Sequence, residues 1–287
     1  MAIRDFTGRT VLVTGAASGI GRATALACAR AGADLVICDL NAAALAATES
    51  EIRALGRQVL ARAVDVASAA AMEDFAAAVH RDRAAVDVLV NNAGVGLGGG
   101  LLETSLADWE WILGINVRGV VHGCHFFIPP MVARGRGGHV VNIASLAGYV
   151  ATPQLGAYAT TKFAVFGLSE ALRGELRPHG IGVTTVCPGI INTAITRTSP
   201  MRGAHAEEAR RAIVELYERR AYGPERVAAN ILKAIRRNRA VAPISAEAWA
   251  MYYLKRLSPR FTAWLDRTMA ARLERQVATR AASSTGG

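Results

Sequence analysis

The chain has 287 residues, of which 52% are hydrophobic and 20% are charged. This length is enough for one sizeable core and is small for two ordinary domains with linkers, so we expect one domain. The net charge of +10 comes mostly from arginines that are scattered along the chain. Because no basic patch is interleaved with aromatic residues, the composition argues against nucleic-acid binding.

The four cysteines lie far apart and form no C-x-x-C pair, which argues against a disulfide framework or a zinc site. The first residues lack the apolar stretch and cleavage site of a signal peptide. No run of about 18 apolar residues is present to span a membrane. These features together predict a cytoplasmic protein.

In chain order, the first element is a short apolar strand over Thr10–Thr14, followed by a glycine-rich turn and an alanine-rich helix. Gly15 can adopt the dihedrals of a tight turn, Gly19 allows the backbone to approach a pyrophosphate, and Gly21 allows helix and strand to pack closely. The start of the helix offers unpaired N–H groups to phosphate. The pattern predicts a dinucleotide site.

A second strand over Asp34–Cys38 leads into Asp39, which follows Gly19 by 20 residues. A carboxylate at this spacing accepts hydrogen bonds from the adenosine ribose hydroxyls and repels the additional phosphate of NADP. NAD(H) is therefore predicted in preference to NADP(H). Arg22 could attract a 2′-phosphate, and it ranks second because the carboxylate would face that phosphate directly.

The alternation of strands and helices continues, which predicts an α/β fold with a doubly wound parallel sheet covered on both faces. Further strands are expected at 59–64, 86–90, 139–143, 182–187 and 241–244, and helices at 41–54, 69–81, 105–115 continuing towards 132, and 158–178. Polar or small residues follow the strands: Asp65, Asn91-Asn92-Ala93-Gly94, Ser145, and Pro188-Gly189. Ligands of such sheets bind outside the carboxyl ends of the strands.

Tyr158 and Lys162 are four residues apart on a predicted helix, so their side chains share one face. A lysine ammonium beside a tyrosine favours the phenolate and so lowers the phenol pKa from its usual value of about 10. Tyr158 is therefore a candidate proton donor and acceptor. Ser145 and Tyr158 could together stabilise negative charge on a carbonyl oxygen.

These motifs together resemble the short-chain dehydrogenase/reductase family. The resemblance covers about Thr7 to Ala234 and rests on the residues 14–21, Asn91-Asn92-Ala93-Gly94, Asn116, Ser145, Tyr158-x-x-x-Lys162 and Pro188-Gly189. It implies a three-layer Rossmann fold and hydride transfer between a nicotinamide and an alcohol or carbonyl carbon. It also implies a homodimer or homotetramer, formed through the helices after Asn116 and at Tyr158.

The resemblance assigns four catalytic residues. Tyr158 is expected to be the general acid and base, and Lys162 to lower its pKa and hold the nicotinamide ribose. Ser145 is expected to bind the substrate oxygen, and Asn116 to keep a water that links Lys162 to solvent. From the residues alone, a less favoured alternative is that Asn116 is a buried amide with a structural partner, and that Ser145 closes a strand.

The cofactor-binding residues expected by the resemblance surround the strand ends. Asp65 and Val66 are expected near the adenine, Asn92 near the ribose, and Ile191 and Thr193 near the carboxamide and phosphates; Asp65 could also be a plain turn residue. The full expected set is Gly15, Ser18, Gly19, Ile20, Gly21, Asp39, Asp65, Val66, Asn92, Tyr158, Lys162, Pro188, Gly189, Ile191 and Thr193.

We expect residues 1–245 to form the catalytic domain, within which residues 194–222 form a mobile lid. The lid is mostly apolar, and its apolar residues are Ile195, Pro200, Met201, Ile213, Leu216 and Tyr217. A hydrophobic alcohol or ketone is therefore the expected substrate. No metal site is expected, because His122 and His125 come without a further ligand.

Residues 246–287 form a basic extension beyond the family pattern. It carries an apolar stripe with a spacing of four, consisting of Trp249, Tyr253, Leu257, Phe261, Leu265 and Met269. Such a stripe, rimmed by arginine and lysine, can pack on this protein or a neighbouring subunit, or lie on a membrane surface. Packing is the favoured interpretation, because an ordinary buried helix shows the same pattern.

Three functions are compatible with these residues. The leading one is an NAD-linked alcohol dehydrogenase or ketone reductase. The others are a relative that retains NAD during epimerisation or elimination, and a nicotinamide-binding sensor without catalysis. An intact set of Ser145, Tyr158 and Lys162 argues against the sensor, since a protein that only binds has no need of a tuned base.

Overall fold

A parallel sheet forms the centre of the protein. The computed structural model describes residues 3–204, 206–220, 222–265 and 267–268. The strands are β1 (Thr10–Thr14), β2 (Asp34–Asp39), β3 (Val59–Ala63), β4 (Val88–Asn91), β5 (Gly138–Ile143), β6 (Ile181–Pro188) and β7 (Val241–Ile244). Their order is β3-β2-β1-β4-β5-β6-β7, and all neighbours are parallel. The order reverses between β1 and β4, which makes their carboxyl ends the expected ligand crevice.

Helices cover both faces of this sheet. They are α1 (Gly19–Arg30), α2 (Ala42–Ala54), α3 (Ala69–Asp82), α4 (Leu106–Leu113), α5 (Gly119–Arg134), α6 (Gly156–Leu176), α7 (Ala194–Thr198), α8 (Ala206–Arg220), α9 (Pro224–Arg236) and α10 (Ala246–Leu257). Alternate β1 residues enter opposite cores: Val11 and Val13 pack with α1, α2 and α9, and Leu12 packs with α3, α5 and α6. The predicted three-layer α/β fold is confirmed.

The helix expected from 105 towards 132 is interrupted. It consists of α4, one π-helical turn at Gly114–Arg118, and α5. The start of α4 is fixed by a capping box in which Ser105 and Asp108 each accept a backbone hydrogen bond from the other. The π turn inserts one residue into the helix and carries Asn116. The apolar periodicity continues through the turn, so the sequence pattern does not reveal it.

Helix α10, the first part of the extension, packs on this protein through one face. Ala248 is fully buried, and Met251 and Tyr252 pack against the core that contains α6. In the predicted stripe, Tyr253 and Leu257 are 54% and 83% exposed in the single chain. Their packing on a neighbouring subunit or a membrane stays a prediction. Met269 lies outside the described residues.

His139 is a fully buried polar residue of β5. The Thr184 hydroxyl donates to the carbonyl of Arg239 at 2.6 Å, so it can only accept from His139 Nε2, which lies 2.8 Å away. His139 Nε2 therefore carries a proton, which it donates to Thr184. Burial lowers the pKa of His139 from 6.5 to about 3.

We predict that His139 makes the fold acid-sensitive. Between pH 6.5 and about 3 the unfolded state binds a proton at this histidine and the folded state does not. The free energy of unfolding should therefore fall with decreasing pH by up to about 1.4 kcal/mol per pH unit from this residue alone. Denaturant titrations of His139→Gln should give a flatter pH dependence than wild type, with the exposed His179→Gln as control. Parallel pH profiles for wild type and His139→Gln would contradict the prediction.

Candidate active site

A cavity of about 450 Å³ opens at the carboxyl ends of the strands. Nearly all of the predicted site residues line it, namely Gly15, Ser18, Gly19, Ile20, Asp39, Asp65, Val66, Asn92, Ser145, Tyr158, Lys162, Pro188, Gly189, Ile191 and Thr193. Gly21 and Asn116 are not part of the lining. The fold therefore brings together residues that are spread over most of the chain, since parallel strands end at one edge of the sheet.

The glycine-rich turn has the backbone geometry of a phosphate cradle. Gly15 and Gly19 have positive φ values of 66° and 53°. A Cβ on Gly15 would lie 2.7 Å from Ala93 Cα, and one on Gly21 would collide with the Gly15 carbonyl oxygen. A Cβ on Gly19 would meet only the Thr193 side chain, at 3.7 Å. The space above Gly19, at the start of α1, therefore fits a pyrophosphate group.

Thr14 and Asn92 hold this turn against β4. The Thr14 hydroxyl accepts from the backbone N–H groups of Asn92 and Ala93, both at 3.0 Å. The Asn92 amide donates to the carbonyls of Thr14 and Gly15 at 2.9 and 3.0 Å. Asn92 therefore supports the turn, and its contact with a ribose stays a prediction. Thr14 belongs to the motif over residues 14–21, but the sequence analysis gave it no role of its own.

Asp39 is fixed at the end of β2. One carboxylate oxygen accepts from the backbone of Ala17 in the glycine-rich turn, and the other from the backbone of Asn41, both at 2.9 Å. Arg22 is engaged elsewhere, because its guanidinium donates to both carboxylate oxygens of Glu51 at 2.7 Å. Arg22 is therefore paired with Glu51 in this structure.

The loop after β3 forms the opposite wall. Asp65 accepts a hydrogen bond from the backbone of Ala67 at 2.9 Å, as a turn residue does, and it also lines the cavity. His122 from α5 holds the same loop, because its Nδ1 lies 2.8 Å from the carbonyl oxygen of Val66. Among the described residues no group of three His, Cys, Asp or Glu side chains could hold a metal ion.

Ser145 begins a tight turn after β5. Its hydroxyl accepts from the backbone of Ala147 at 3.1 Å, and its carbonyl accepts from Gly148 at 2.9 Å. These bonds define the 3-10 turn Leu146–Gly148. A Cβ on Gly148 would lie 2.9 Å from the Lys162 carbonyl oxygen, so the turn lies directly on α6. Ser145 lines the same cavity as Tyr158 and Lys162.

Lys162 carries a buried ammonium. Only 5% of the residue is exposed, its Nζ donates to the Ile143 carbonyl at 3.0 Å, and Nζ lies 5.7 Å from the centre of the Tyr158 ring. Burial lowers the pKa of Lys162 from 10.5 to about 8, and the nearby Cys187 thiol acts in the opposite direction. A cation beneath a half-buried phenol can favour proton release from it.

Asn116 is fully buried behind the cavity. Its carbonyl accepts from the backbone of Val95 at 2.8 Å, and its amide donates to the Val95 carbonyl at 2.9 Å and to Thr161 Oγ1 at 3.1 Å. The side chain is therefore satisfied by protein groups, as in the structural alternative considered above. It ties the loop after β4 to α6 one residue before Lys162. Its role in a water relay stays a prediction.

The remaining wall is apolar. It is formed by Val95, Leu97, Leu146, Ala147, Leu155, Ile195, Met201 and Ile213, together with glycines and Ser199. Among the described lining residues, charged side chains occur only as Asp39, Asp65 and Lys162. The side chains of Leu216 and Tyr217, also predicted for the lid, lie outside the described residues. This part of the cavity suits an uncharged, apolar group.

The lid segment is fastened to the loop after β4. Gly98 donates to the Pro200 carbonyl at 3.0 Å and accepts from the Arg202 backbone at 2.9 Å. The Arg202 guanidinium also forms a two-point ion pair with Asp108, with distances of 2.6 and 3.1 Å. This pair lowers the pKa of the Asp108 carboxyl below its usual range. These contacts join residues 200–202 to the loop after β4 and to α4, and the role of residues 194–222 as a mobile lid stays a prediction.

Comparisons with known proteins find relatives of this chain. EphD of Mycobacterium tuberculosis, named a probable oxidoreductase, is 40% identical over 263 residues, which cover 90% of this chain and 44% of EphD. The chain thus spans less than half the length of that relative. SadH of the same species, also named an oxidoreductase, is 37% identical over 257 residues, covering 88% of this chain and 92% of SadH.

A solved structure and a family model extend the match. The crystal structure of a short chain dehydrogenase/reductase from Burkholderia phymatum in complex with NAD has a TM-score of 0.84 and 34% identity, covering 90% of this chain and 96% of that chain. The family model described as short chain dehydrogenase matches residues 9–202, which include the glycine-rich turn, Ser145, Tyr158 and Lys162. The chain belongs to the short chain dehydrogenase family.

Proposed function

We propose that this protein is an oxidoreductase that transfers a hydride between NAD(H) and the alcohol or carbonyl carbon of an apolar substrate. One observation carries the proposal: Tyr158, Lys162 and Ser145 line the same cavity as the glycine-rich turn and a group of apolar residues. The names of the relatives EphD and SadH, both oxidoreductases, support the same class of reaction.

The proposed chemistry divides between the cofactor and the chain. A bound nicotinamide supplies or accepts the hydride. In alcohol oxidation the substrate hydroxyl must lose a proton, and the Tyr158 phenolate accepts it. In carbonyl reduction the Tyr158 and Ser145 hydroxyls donate to the oxygen on which negative charge develops. The Lys162 ammonium stabilises the phenolate form of Tyr158 and so keeps the base available near neutral pH.

The proposed cofactor is NAD(H) rather than NADP(H). The Asp39 carboxylate stands at the end of β2, where it can accept hydrogen bonds from ribose hydroxyls and would repel a 2′-phosphate. Arg22, which follows the last glycine of the turn, could offset this repulsion, but its guanidinium is paired with Glu51. The bound NAD of the Burkholderia phymatum relative is in line with this choice.

We predict that neutralising Asp39 removes the cofactor preference. Titrations followed by nicotinamide fluorescence should show NADH binding to wild type at least about tenfold more tightly than NADPH. Asp39→Asn should bring the two affinities within a few-fold, since the amide oxygen can still accept hydrogen bonds but does not repel phosphate. Asp34→Asn, at the opposite end of β2, is the matched control and should behave as wild type.

Two results would contradict this assignment. If wild type preferred NADPH, the pairing of Arg22 with Glu51 would have to open on binding. If wild type bound neither nucleotide, the proposed enzyme function would fail as a whole. A wild-type preference for NADH that persisted in Asp39→Asn would retain the function but remove Asp39 as its cause.

Lys162 should show opposite effects on catalysis and on stability. Lys162→Met should lower kcat at least about 100-fold, as should Tyr158→Phe, because proton transfer loses its base or the cation that supports it. At pH 7 the same Lys162→Met substitution should raise the free energy of unfolding of the cofactor-free protein by on the order of 1 kcal/mol, because it removes a buried charge.

The pH dependence of this gain follows from the lowered pKa of Lys162. Below about pH 8 lysine is charged in both states, so the burial cost is fully present. Above about pH 10.5 the Lys162 side chain is neutral in both the folded and the unfolded state, so the gain in free energy of unfolding should disappear. Urea unfolding at several pH values measures it, with the exposed Lys233→Met as control. A Lys162→Met protein that is less stable than wild type at pH 7 would disprove the stability half of the prediction.

We propose that the protein is a homodimer or homotetramer. Val121 on α5 and Phe163 on α6 are each 43% exposed, which supports an apolar contact between copies through these helices. The exposed residues Tyr253 and Leu257 of α10 are proposed to pack on a neighbouring subunit rather than on a membrane. No helix in the described part of the chain is long and apolar enough to cross a bilayer.

Light scattering after size exclusion tests these contacts. Phe163→Glu should lower the oligomeric mass, because a charge would be buried between copies. Leu257→Ser should weaken assembly without affecting binding to anionic phospholipid vesicles. A Leu257→Ser protein that assembles normally but loses vesicle binding would reverse the order of the two interpretations, and a monomeric wild type would reject the oligomer.

A further inference from the structure

Helix α10 contacts two separate segments of the candidate active site. It follows β7, the last strand, and belongs to the extension that has no counterpart among the motifs discussed above. Its first turn, Glu247 and Ala248, meets the turn that carries Ser145 on one side and the loop after β6 on the other. Both segments line the cavity.

The first contact is made by Tyr149. This residue ends the 3-10 turn that Ser145 begins, and its backbone N–H donates to Leu146 at 3.2 Å. Its buried hydroxyl donates to the carbonyl of Ala248 at 2.7 Å. Tyr252 from the next turn of α10 packs edge-on against the Tyr149 ring, with 5.5 Å between ring centres. The turn below Ser145 is therefore held by α10 through a hydrogen bond and a ring contact.

The second contact is made by Glu247. Its carboxylate accepts a hydrogen bond from the backbone N–H of Ile190 at 3.2 Å. A Cβ on Gly189 would lie 2.7 Å from the same oxygen, so the loop and the helix are in direct contact. Gly189 itself donates to the Ile244 carbonyl at 3.0 Å. The loop that continues to Ile191 and Thr193 thus takes its position from β7 and α10.

The connection between β7 and α10 has a strained backbone. Ser245 has φ 95° and ψ 157°, a region that is populated almost only by glycine. Its hydroxyl lies against the position of a Gly189 Cβ. This conformation turns the chain sharply, so that Glu247 and Ala248 face the site. Strain of this kind persists only where the surrounding contacts enforce it, and here those contacts are to the active-site loops.

We propose that Tyr149 and Glu247 are positioning residues through which α10 sets the geometry of the active site. Tyr149 orients the turn that presents the Ser145 hydroxyl, and Glu247 orients the backbone that begins the nicotinamide side of the cavity. The inference rests on the proposed function, and it adds two residues and one helix that the motifs do not contain. A displacement of about 1 Å at such groups can lower a rate by about 100-fold.

The two contacts should give separable effects. Tyr149→Phe removes one hydroxyl and should lower kcat for an apolar ketone about tenfold, while the Kd for NADH stays within about twofold of wild type. Glu247→Ala should instead raise the Kd for NADH about tenfold, because a charge-assisted hydrogen bond to the loop is lost. Glu247→Gln keeps an acceptor oxygen and should restore wild-type binding.

Amide hydrogen exchange gives a readout that needs no substrate. The Ile190 amide should exchange faster in Glu247→Ala than in wild type and should be protected again in Glu247→Gln, since it donates to this side chain. Glu175→Ala, on the exposed end of α6, is the matched control and should leave exchange, NADH affinity and kcat unchanged.

The outcomes distinguish this inference from the proposed function. If wild type binds NADH and reduces a ketone, but Tyr149→Phe and Glu247→Ala behave as wild type, the positioning role is wrong and the function stands. A uniform loss of both kcat and NADH affinity in all three variants, Glu247→Gln included, would indicate general destabilisation and also overturn it. Wild type that binds neither NADH nor NADPH would overturn the function and the inference together.

Discussion

The buried ammonium of Lys162 is the interaction on which the candidate site depends. A charge in the core is costly, and here it is held by one carbonyl, that of Ile143 at the end of β5, and by its closeness to the Tyr158 ring. This single bond fixes α6 against the end of the strand from which Ser145 follows. Because Gly148 lets the Ser145 turn lie on the Lys162 backbone, the turn that carries the serine is in direct contact with the helix that carries the tyrosine and the lysine. Burial also keeps the pKa of Lys162 near 8, within reach of neutral conditions.

The cofactor side is organised by backbone contacts rather than by charges. Thr14 and Asn92 join the glycine-rich turn to β4 at the point where the strand order reverses, and Asp39 joins the same turn to β2. The groups that would bind a dinucleotide are thus also groups that hold the turn. A substitution at Asn92 would disturb the shape of the phosphate cradle even without touching a ligand. In the same way, α10 of the C-terminal extension supports the loop after β6, on the other side of the point where the strand order reverses.

Much of the fold and site could be predicted from the sequence, and particular residues show why. The strands that precede Asp39, Ser145 and Pro188 are short runs rich in apolar residues. In a parallel sheet the carboxyl ends of these strands lie at one edge, so the three residues come together there. The motif from Tyr158 to Lys162 is local, so its geometry follows from helical spacing alone. By contrast, the π turn at Asn116, the pairing of that amide with Val95, and the support of the turn by Thr14 involve partners distant in the chain. No local pattern encodes them.

The sequence by itself therefore determined the α/β class, the family, the residues at the cavity wall and the helical spacing of Tyr158 and Lys162, because each depends on local periodicity or on a short motif. The tertiary structure decided which face of α10 is buried, that Arg22 is paired with Glu51, and that Lys162 is buried enough for its pKa to fall. These features depend on which surfaces meet after folding. The sequence alone does not distinguish adjacent stripes of one helix, or two possible partners of one arginine, because the difference lies in the surfaces that surround them in the fold.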